Sequence, residues 1–280
     1  MPDLVMTRNR NKPSAVILDM LRSARSRHRT ARSLITAGAL FGFSENTLRV
    51  TLSRLMTRGI IESPERGLYR LARQTDALND FVERWRLGEA RVRPWRAGRW
   101  LFAHVISGQP KGQATASEWA LIALGFRGVR PALFARPDNL ALKTGELRTL
   151  ASGIGLSPGV LLVTGQPEGD PAPQSWLQAW RPSELDDGYA DALRRLEESA
   201  RRLPTMTSDR ARLECFSLGG EMIHRLAKDP LLPMEFVNVQ AREALWRATL
   251  DYDLLGKDIW ASGKEEALRR MPRPQLETTG

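Results

Sequence analysis

The sequence predicts an α+β chain of several domains: an N-terminal winged helix-turn-helix, a middle ferredoxin-like βαββαβ domain and an all-α C-terminal domain. Three observations predict it. Apolar residues recur at helical spacing in three short runs before residue 60, and two strand-like runs follow them. Strand-like and helical periodicities then alternate between residues 98 and 168, and from residue 172 onward the pattern is helical alone. A chain of 280 residues, 42% of them hydrophobic, has the length and apolar content for more than one core.

Within residues 1–73, Val16, Ile17, Met20 and Leu21 share one side of a first helix that follows Pro13-Ser14, with Ser14 as the expected N-cap. A second helix begins near Thr30 and turns Leu34, Ile35 and Ala39 inward. Gly42, in the turn GFS, ends it. Ser44 then caps a third helix, whose Leu48, Leu52, Leu55 and Met56 form one apolar stripe. Gly59 stands where a helix C-terminus stops. The runs GIIES and GLYRLA, separated by Pro64-Glu65-Arg66-Gly67, read as a hairpin. Three helices and a hairpin are the pattern of a winged helix-turn-helix.

Residues 74–97 read as a connector helix bearing Leu78, Phe81, Val82 and Trp85, then a linker, RVRPWRAG. The domain expected over 98–168 takes its strands from WLFAHVIS (100–107), GFRGV (125–129), VRPALFAR (129–136) and VLLVTG (160–165). Its helices are ASEWALIALG (116–125) and TGELRTLASGIG (144–155), which gives the order βαββαβ. Over 169–265 one helical pattern starts at Trp176, Leu177 and Trp180 and continues through Tyr189, Leu193, Leu196 and Ala200. Two more helices are expected at 209–228 and 238–255, parted by the prolines of KDPLLPM. Residues 266–280 read as a disordered tail.

Charge is placed unevenly. Residues 1–73 hold 14 Lys and Arg against five Asp and Glu, a net +9, whereas the rest of the chain holds 28 against 27. A basic module on a neutral body points to a polyanion partner. Opposite its leucine stripe the third helix carries Glu45, Asn46, Arg49, Ser53 and Arg54. Asn pairs bidentately with adenine and Arg with guanine, so Asn46 and Arg49 are the expected base readers. Ser53 and Arg54 are expected at phosphates, with Arg66 and Arg70 at the hairpin, Arg29 and Arg32 on the second helix, and Arg8, Arg10 and Lys12 on the arm. Any one of them alone is an ordinary solvated position; together they occupy the one strongly basic segment.

At these residues the chain resembles a known family. SLITAGALFGFSENTLRVTLSRLMTRGIIESPERGLYRLA is similar to the N-terminal domain of the PaaX family of repressors, whose R-x-x-L-x-R-L core matches Arg49, Leu52, Arg54 and Leu55. GRWLFAHV (98–105) resembles the strand that opens the family's middle domain. LAKDPLLPMEF (226–236) resembles its D-P-x-L-P segment at Asp229, Pro230, Leu232 and Pro233. The resemblance implies a cytoplasmic homodimeric repressor of aromatic, phenylacetate-type catabolism. Its partner would be double-stranded operator DNA, and an acyl-CoA effector such as phenylacetyl-CoA would release it. The chain departs from the family after D-P-x-L-P, where Phe236-Val237-Asn238-Val239 replaces a Trp-Pro-Gly-type segment.

A flat aromatic acyl group needs an aromatic-lined pocket, and the phosphates of a coenzyme need Arg or Lys at its mouth. Trp180, Tyr189, Arg225 and Trp246 are the expected ligand-binding residues, in the region 172–260 where it meets the ferredoxin-like unit; the alternative reading makes Trp180, Tyr189 and Trp246 core aromatics of a helical domain. The Trp-rich later domains are expected to supply the dimer surface. The competing reading is a nucleic-acid-processing enzyme or accessory factor built on the ferredoxin-like domain. In the small ferredoxin-like nucleases that the middle unit resembles, an acidic residue ends the first strand and holds a metal. Here that strand ends Val105-Ile106-Ser107-Gly108, without a carboxylate. His28, His104 and His224 are far apart and Cys215 is the one cysteine, read as a small buried core residue. No P-loop, G-x-S-x-G or G-x-G-x-x-G pattern is present. No catalytic residue, metal or cofactor is therefore expected. With neither a signal-like apolar run nor a stretch of about 20 apolar residues, the expected location is the cytoplasm, away from membranes.

Overall fold

Pro13 has no backbone N–H to leave unpaired, and it takes the first position of α1 (Pro13–Arg22). Lys12, not Ser14, is the N-cap, because the helix begins two residues earlier than the polar cap signal implied. The structure, a computed structural model, describes residues 12–23, 28–105, 110–167 and 172–270.

β1 (His28–Thr30) leads directly into α2 (Ala31–Leu40), whose cap is the Thr30 hydroxyl accepting from the Ser33 N–H at 3.2 Å. Ser44 caps α3 (Glu45–Thr57) in the same way, accepting from Thr47 at 3.2 Å. α2 and α3 approach closely at Gly38, where a Cβ would lie 2.6 Å from Leu48. Gly59, at φ +64°, turns the chain into β2 (Ile61–Glu65), and β3 (Leu68–Leu71) returns. The antiparallel order is β1-β3-β2, so the expected hairpin has a third strand. Val16, Ile17, Leu21, Leu34, Leu48 and Leu52 form the core of this unit.

α4 (Asp76–Glu83) follows β3, and a 3₁₀ segment over 84–91 kinks at Gly88. The expected linker after it is packed in place. Val92 pairs with Leu140, and Trp95 lies 4.9 Å from Phe236 and 6.0 Å from Trp100, ring to ring. β4 (Trp100–His104), α5 (Lys111–Ala123), β5 (Arg127–Arg130), β6 (Leu133–Pro137), α6 (Thr144–Gly153) and β7 (Leu161–Gly165) follow in the order βαββαβ. They form an antiparallel sheet, β5-β6-β4-β7. Alternation along β4 sends Leu101 and Ala103 to the face packed with Leu121 and Leu147, and Trp100 and Phe102 to a second, tryptophan-covered face.

That second cover comes from the C-terminal helices. α7 (Ala172–Leu177) and a 3₁₀ turn bring Trp176 within 5.5 Å and Trp180 within 6.1 Å of Trp100. Arg181, at φ +49°, breaks the expected continuous helix, and α8 (Pro182–Arg202) begins afresh. α9 (Ser208–Ala227), α10 (Val239–Ser262) and α11 (Lys264–Arg270) complete the chain. The expected tail from 266 is thus helical as far as Arg270, pinned where the Lys264 ammonium donates to the Met206 carbonyl at 2.6 Å. One continuous apolar cluster joins Phe81 and Trp85, Leu101 and Leu121 of the middle unit, and Tyr189 and Leu245 of the helices.

The helix-free stretch between α9 and α10 is buried from Asp229 to Pro233 and held there by side chains. Asp229 accepts from the Tyr189 hydroxyl at 2.7 Å and from the Leu231 N–H at 2.8 Å, with the Arg242 guanidinium 3.7 Å away. Arg91 donates to the Leu226 carbonyl, Arg136 to Pro230, Asn139 to Leu231 and Arg242 to Leu232. Burial pushes Arg91 down to about 10 and Arg136 to about 9, which leaves both cationic at neutral pH.

Two glycine substitutions test how tightly the kink is packed. Gly88 has φ +51°, and a Cβ there would lie 2.4 Å from the Trp246 ring, so Gly88→Ala meets both a backbone and a steric penalty. We expect it to cost roughly 2–4 kcal/mol, read from urea unfolding. Gly145→Ala, on α6 with nothing within 4 Å, should be neutral or stabilising by up to about 1 kcal/mol. Equal effects at the two positions would contradict the packing described.

Candidate functional site

α3 presents two unlike sides. Leu48, Leu52 and Leu55 are buried, and the opposite side carries Asn46, Val50, Ser53 and Thr57 at spacings of four, three and four. Asn46 and Ser53 are exposed as expected from the sequence. Val50, 40% exposed, lies between them; it has no hydrogen-bonding group, so the expectation of polar base readers does not include it. A branched apolar side chain at that place can meet a thymine methyl. Arg49 and Arg54 flank this strip from either side. The Arg49 guanidinium donates to Glu45 at 2.8 and 2.6 Å in an exposed pair, which is worth little and can be exchanged. Arg54 and Arg58 are exposed.

Arg66 occupies the exposed β2–β3 turn beside Gly67, which takes φ +78°. Arg32 is exposed in the first turn of α2. Arg70, however, is engaged with Glu62 at 2.6 Å. Arg29 needs correction: it is on β1 rather than on the second helix, and its Nε donates to the Met20 carbonyl at 2.9 Å. It therefore turns toward α1, away from the α3 strip. Lys12 is exposed, and Arg8 and Arg10 lie outside the described residues. A groove of about 560 Å³ runs beside α3, bounded by Arg49, Ser53, Thr57, Ile35 and Tyr69.

A second cavity, about 1070 Å³, separates the N-terminal unit from the helical region. Asp19, Met20, Arg22 and Arg29 form one wall. Phe216, Gly219 and Arg225 of α9, with Tyr252 and Trp260 of α10, form the other. The two sides meet where Phe41 packs edge-on against Phe216 at 5.1 Å, and Arg22 also donates to Asn79 of α4 at 2.9 Å.

The four expected ligand-binding residues are not brought together. Tyr189 and Arg225 line this cavity, although the Tyr189 hydroxyl is committed to Asp229 and burial beside that carboxylate raises its pKa. Trp180 is buried against Trp100 and donates its indole N–H to the Gly125 carbonyl at 2.8 Å, which makes it a core residue of the sheet. Trp246 packs over Gly88, outside the cavity. Trp85, Trp100 and Trp176 are buried too, so these indoles do not provide the expected dimer surface. Among the described residues, no group of three His, Cys, Asp or Glu could hold a metal ion, and no helix is long and apolar enough to cross a membrane.

Residues 14–75 match the family described as PaaX-like protein, so the N-terminal region carries a PaaX-like domain. The matched span begins in α1 and ends just past β3; the GRWLFAHV and DPLLP segments lie outside it. The uncharacterized protein Rv0674 from Mycobacterium tuberculosis is similar in structure, with a TM-score of 0.56 and 25% identity, over 92% of this chain and 99% of that one. Among curated proteins, no relative matches the chain. A PaaX-like domain suggests a transcriptional regulator of that type.

Cys215 reports on how closed the cavity wall is. It is buried between α9 and α10, and burial pushes its thiol up to about 12. The thiolate is the reactive form, so at pH 7.5 iodoacetamide should alkylate the native chain about a thousandfold more slowly than the urea-unfolded chain. Labelling at comparable rates would show that this wall opens.

Proposed function

We propose that this chain is a double-stranded-DNA-binding regulator of the PaaX type that reads an operator through α3. The carrying observation is the division of that helix: its leucines are buried while Asn46, Val50, Ser53 and Arg54 are exposed on the most basic segment of the chain. A helix that docks by one side and offers polar groups on the other is what the major groove accepts. On this reading residues 1–73 form a winged helix-turn-helix, with Arg66 at the wing and Arg32 at a flanking phosphate. The βαββαβ unit is a ferredoxin-like scaffold, and the C-terminal helices sense an effector.

The same resemblance supports a repressor of aromatic, phenylacetate-type catabolism, released by an acyl-CoA such as phenylacetyl-CoA and acting in the cytoplasm. It acts without catalysis of its own. It works as a homodimer, because one winged helix contacts few bases and two of them lengthen the site.

Affinity for a promoter duplex should fall steeply with salt, because neutralised phosphates release counterions, about 0.9 in log–log slope for each contact. Arg54→Ala should lower that slope by about 0.9 on any duplex. Asn46→Ala should cost about 1–3 kcal/mol on the operator and little on unrelated DNA. A chain lacking residues 1–73 that bound as tightly as the whole would overturn the assignment.

Light scattering at micromolar protein should give twice the 31.4 kDa chain mass. A single-chain mass with and without operator would exclude the dimer.

A further inference from the structure

We propose that the cavity between the N-terminal unit and α8–α10 binds an organic anion with an apolar body, and that its occupancy resets the position of α2 and α3. The coupling rests on the DNA-binding reading above; the binding does not.

The argument begins with the cavity's charges. Its carboxylates already have partners: Asp19 pairs with Arg22 at 2.9 Å, Asp253 with Arg86 at 2.9 Å and with Lys257 at 2.8 Å. Glu83 pairs with Arg86, Glu221 with Arg195, and Asp229 accepts from Tyr189. Three lining arginines lack such a counter-ion among the described residues. Arg29 donates to the Met20 carbonyl alone, and Arg127 to the carbonyls of Phe126 and Ile122. Arg225 lies against Gly188, exposed, with no hydrogen bond or ion pair. Arg29 and Arg127 are half-buried, and that burial pushes both below the ordinary guanidinium value. Arg29 faces a carbonyl alone, and Arg127 has, beside its carbonyls, only the charge of an Asp229 that also serves Tyr189 and Arg242, so both are incompletely compensated and an anion supplied by a ligand would complete them.

Much of the remaining lining is apolar, although His28, His224 and Lys228 also border the cavity. Phe216, Ile223, Leu185 and Trp260 face the same space. From Cys215 to Ala227 the wall follows α9 for about 18 Å at 1.5 Å per residue, so an elongated body fits along it. A small inorganic anion would leave this apolar length unused.

Occupancy reaches the reading surface through Arg29. Its neighbour Thr30 caps α2, and Arg29 itself pairs across the sheet with Tyr69 of β3. A ligand that draws the Arg29 guanidinium from the Met20 carbonyl therefore pulls on β1, on the α2 cap and on the strand behind the turn. Its body would press on the Phe41–Phe216 contact, the seat of the N-terminal unit on α9. Coupling follows if the ligand binds the two seatings with different affinities.

The test uses the full chain and two probes with the same ring system: 8-anilinonaphthalene-1-sulfonate, an anion, and N-phenyl-1-naphthylamine, which lacks the sulfonate. Fluorescence titration should show one sulfonate-probe site per chain. Arg225→Gln and Arg127→Gln should each weaken that probe about tenfold and leave the neutral one within twofold. Gly219→Phe, which fills the apolar wall, should weaken both at least tenfold. Melting curves confirm folding, and Arg225→Gln, which removes no hydrogen bond or ion pair among the described residues, carries the test if another variant unfolds. Arginine variants that leave the sulfonate probe unchanged, or weaken both probes equally, overturn the anion site.

On the promoter duplex, a saturating sulfonate probe should lower the affinity of the unaltered chain at least tenfold. Binding at the site with unchanged DNA affinity overturns the coupling alone. A chain that binds no duplex at all refutes the DNA-binding reading, and the titration still decides the site.

Discussion

The buried carboxylate of Asp229 is the constraint on which the joining of the parts depends. An irregular stretch that passes through the interior must find a partner for each backbone N–H and C=O, because water cannot reach them. Here α9 stops, Leu231 takes φ +54°, and the chain crosses between sheet and helices before α10 begins. Asp229 fixes the turn by accepting from its own loop at Leu231 and from Tyr189 on α8. The carbonyls that follow are taken by Arg136 and Asn139 from the sheet side and by Arg242 from α10. Breaking a buried pair of this kind by removing one partner costs on the order of 3–5 kcal/mol, far more than any exposed pair on this surface contributes.

Because that node anchors both ends of the helix-free stretch, α9 and α10 emerge from it in fixed directions. Together they form the platform on which the N-terminal unit rests, through Phe216 and Trp260 packed against its core. The direction of α3 relative to the body is therefore set by two contacts of different strength. The node is buried, polar and held by several hydrogen bonds, whereas the seat is an aromatic contact beside a large cavity. The regulator proposed above would need a rigid body and a movable N-terminal unit, and this division of strength allows both.

Within the N-terminal unit, nearly every boundary signal was local and legible. Thr30 and Ser44 cap the helices they precede, Gly59 ends α3, and Leu48, Leu52 and Leu55 are the buried stripe. β1 escaped notice because His28-Arg29-Thr30 has no apolar alternation; it is a strand only because β3 offers it an edge. Arg29 followed the same error, since a residue read as helical surface proved to turn inward. Val50 carries no hydrogen-bonding group, so a search for base-reading donors does not select it, although its spacing from Asn46 and Ser53 is visible in the sequence.

What the sequence by itself determined were the features with a short period: helix stripes and caps, the alternation of β4, the order βαββαβ, and the concentration of basic charge before residue 74. These arise from interactions among residues a few positions apart, so a linear reading captures them. Only the tertiary structure decided which tryptophans are core, that Trp180 closes on Gly125, that the Gly88 kink receives Trp246, and that Arg29 and Arg225 line one cavity. Those facts depend on the directions in which distant elements leave the Asp229 node. A direction in space leaves no periodicity in a sequence; it follows from packing and from where buried polar groups find their partners.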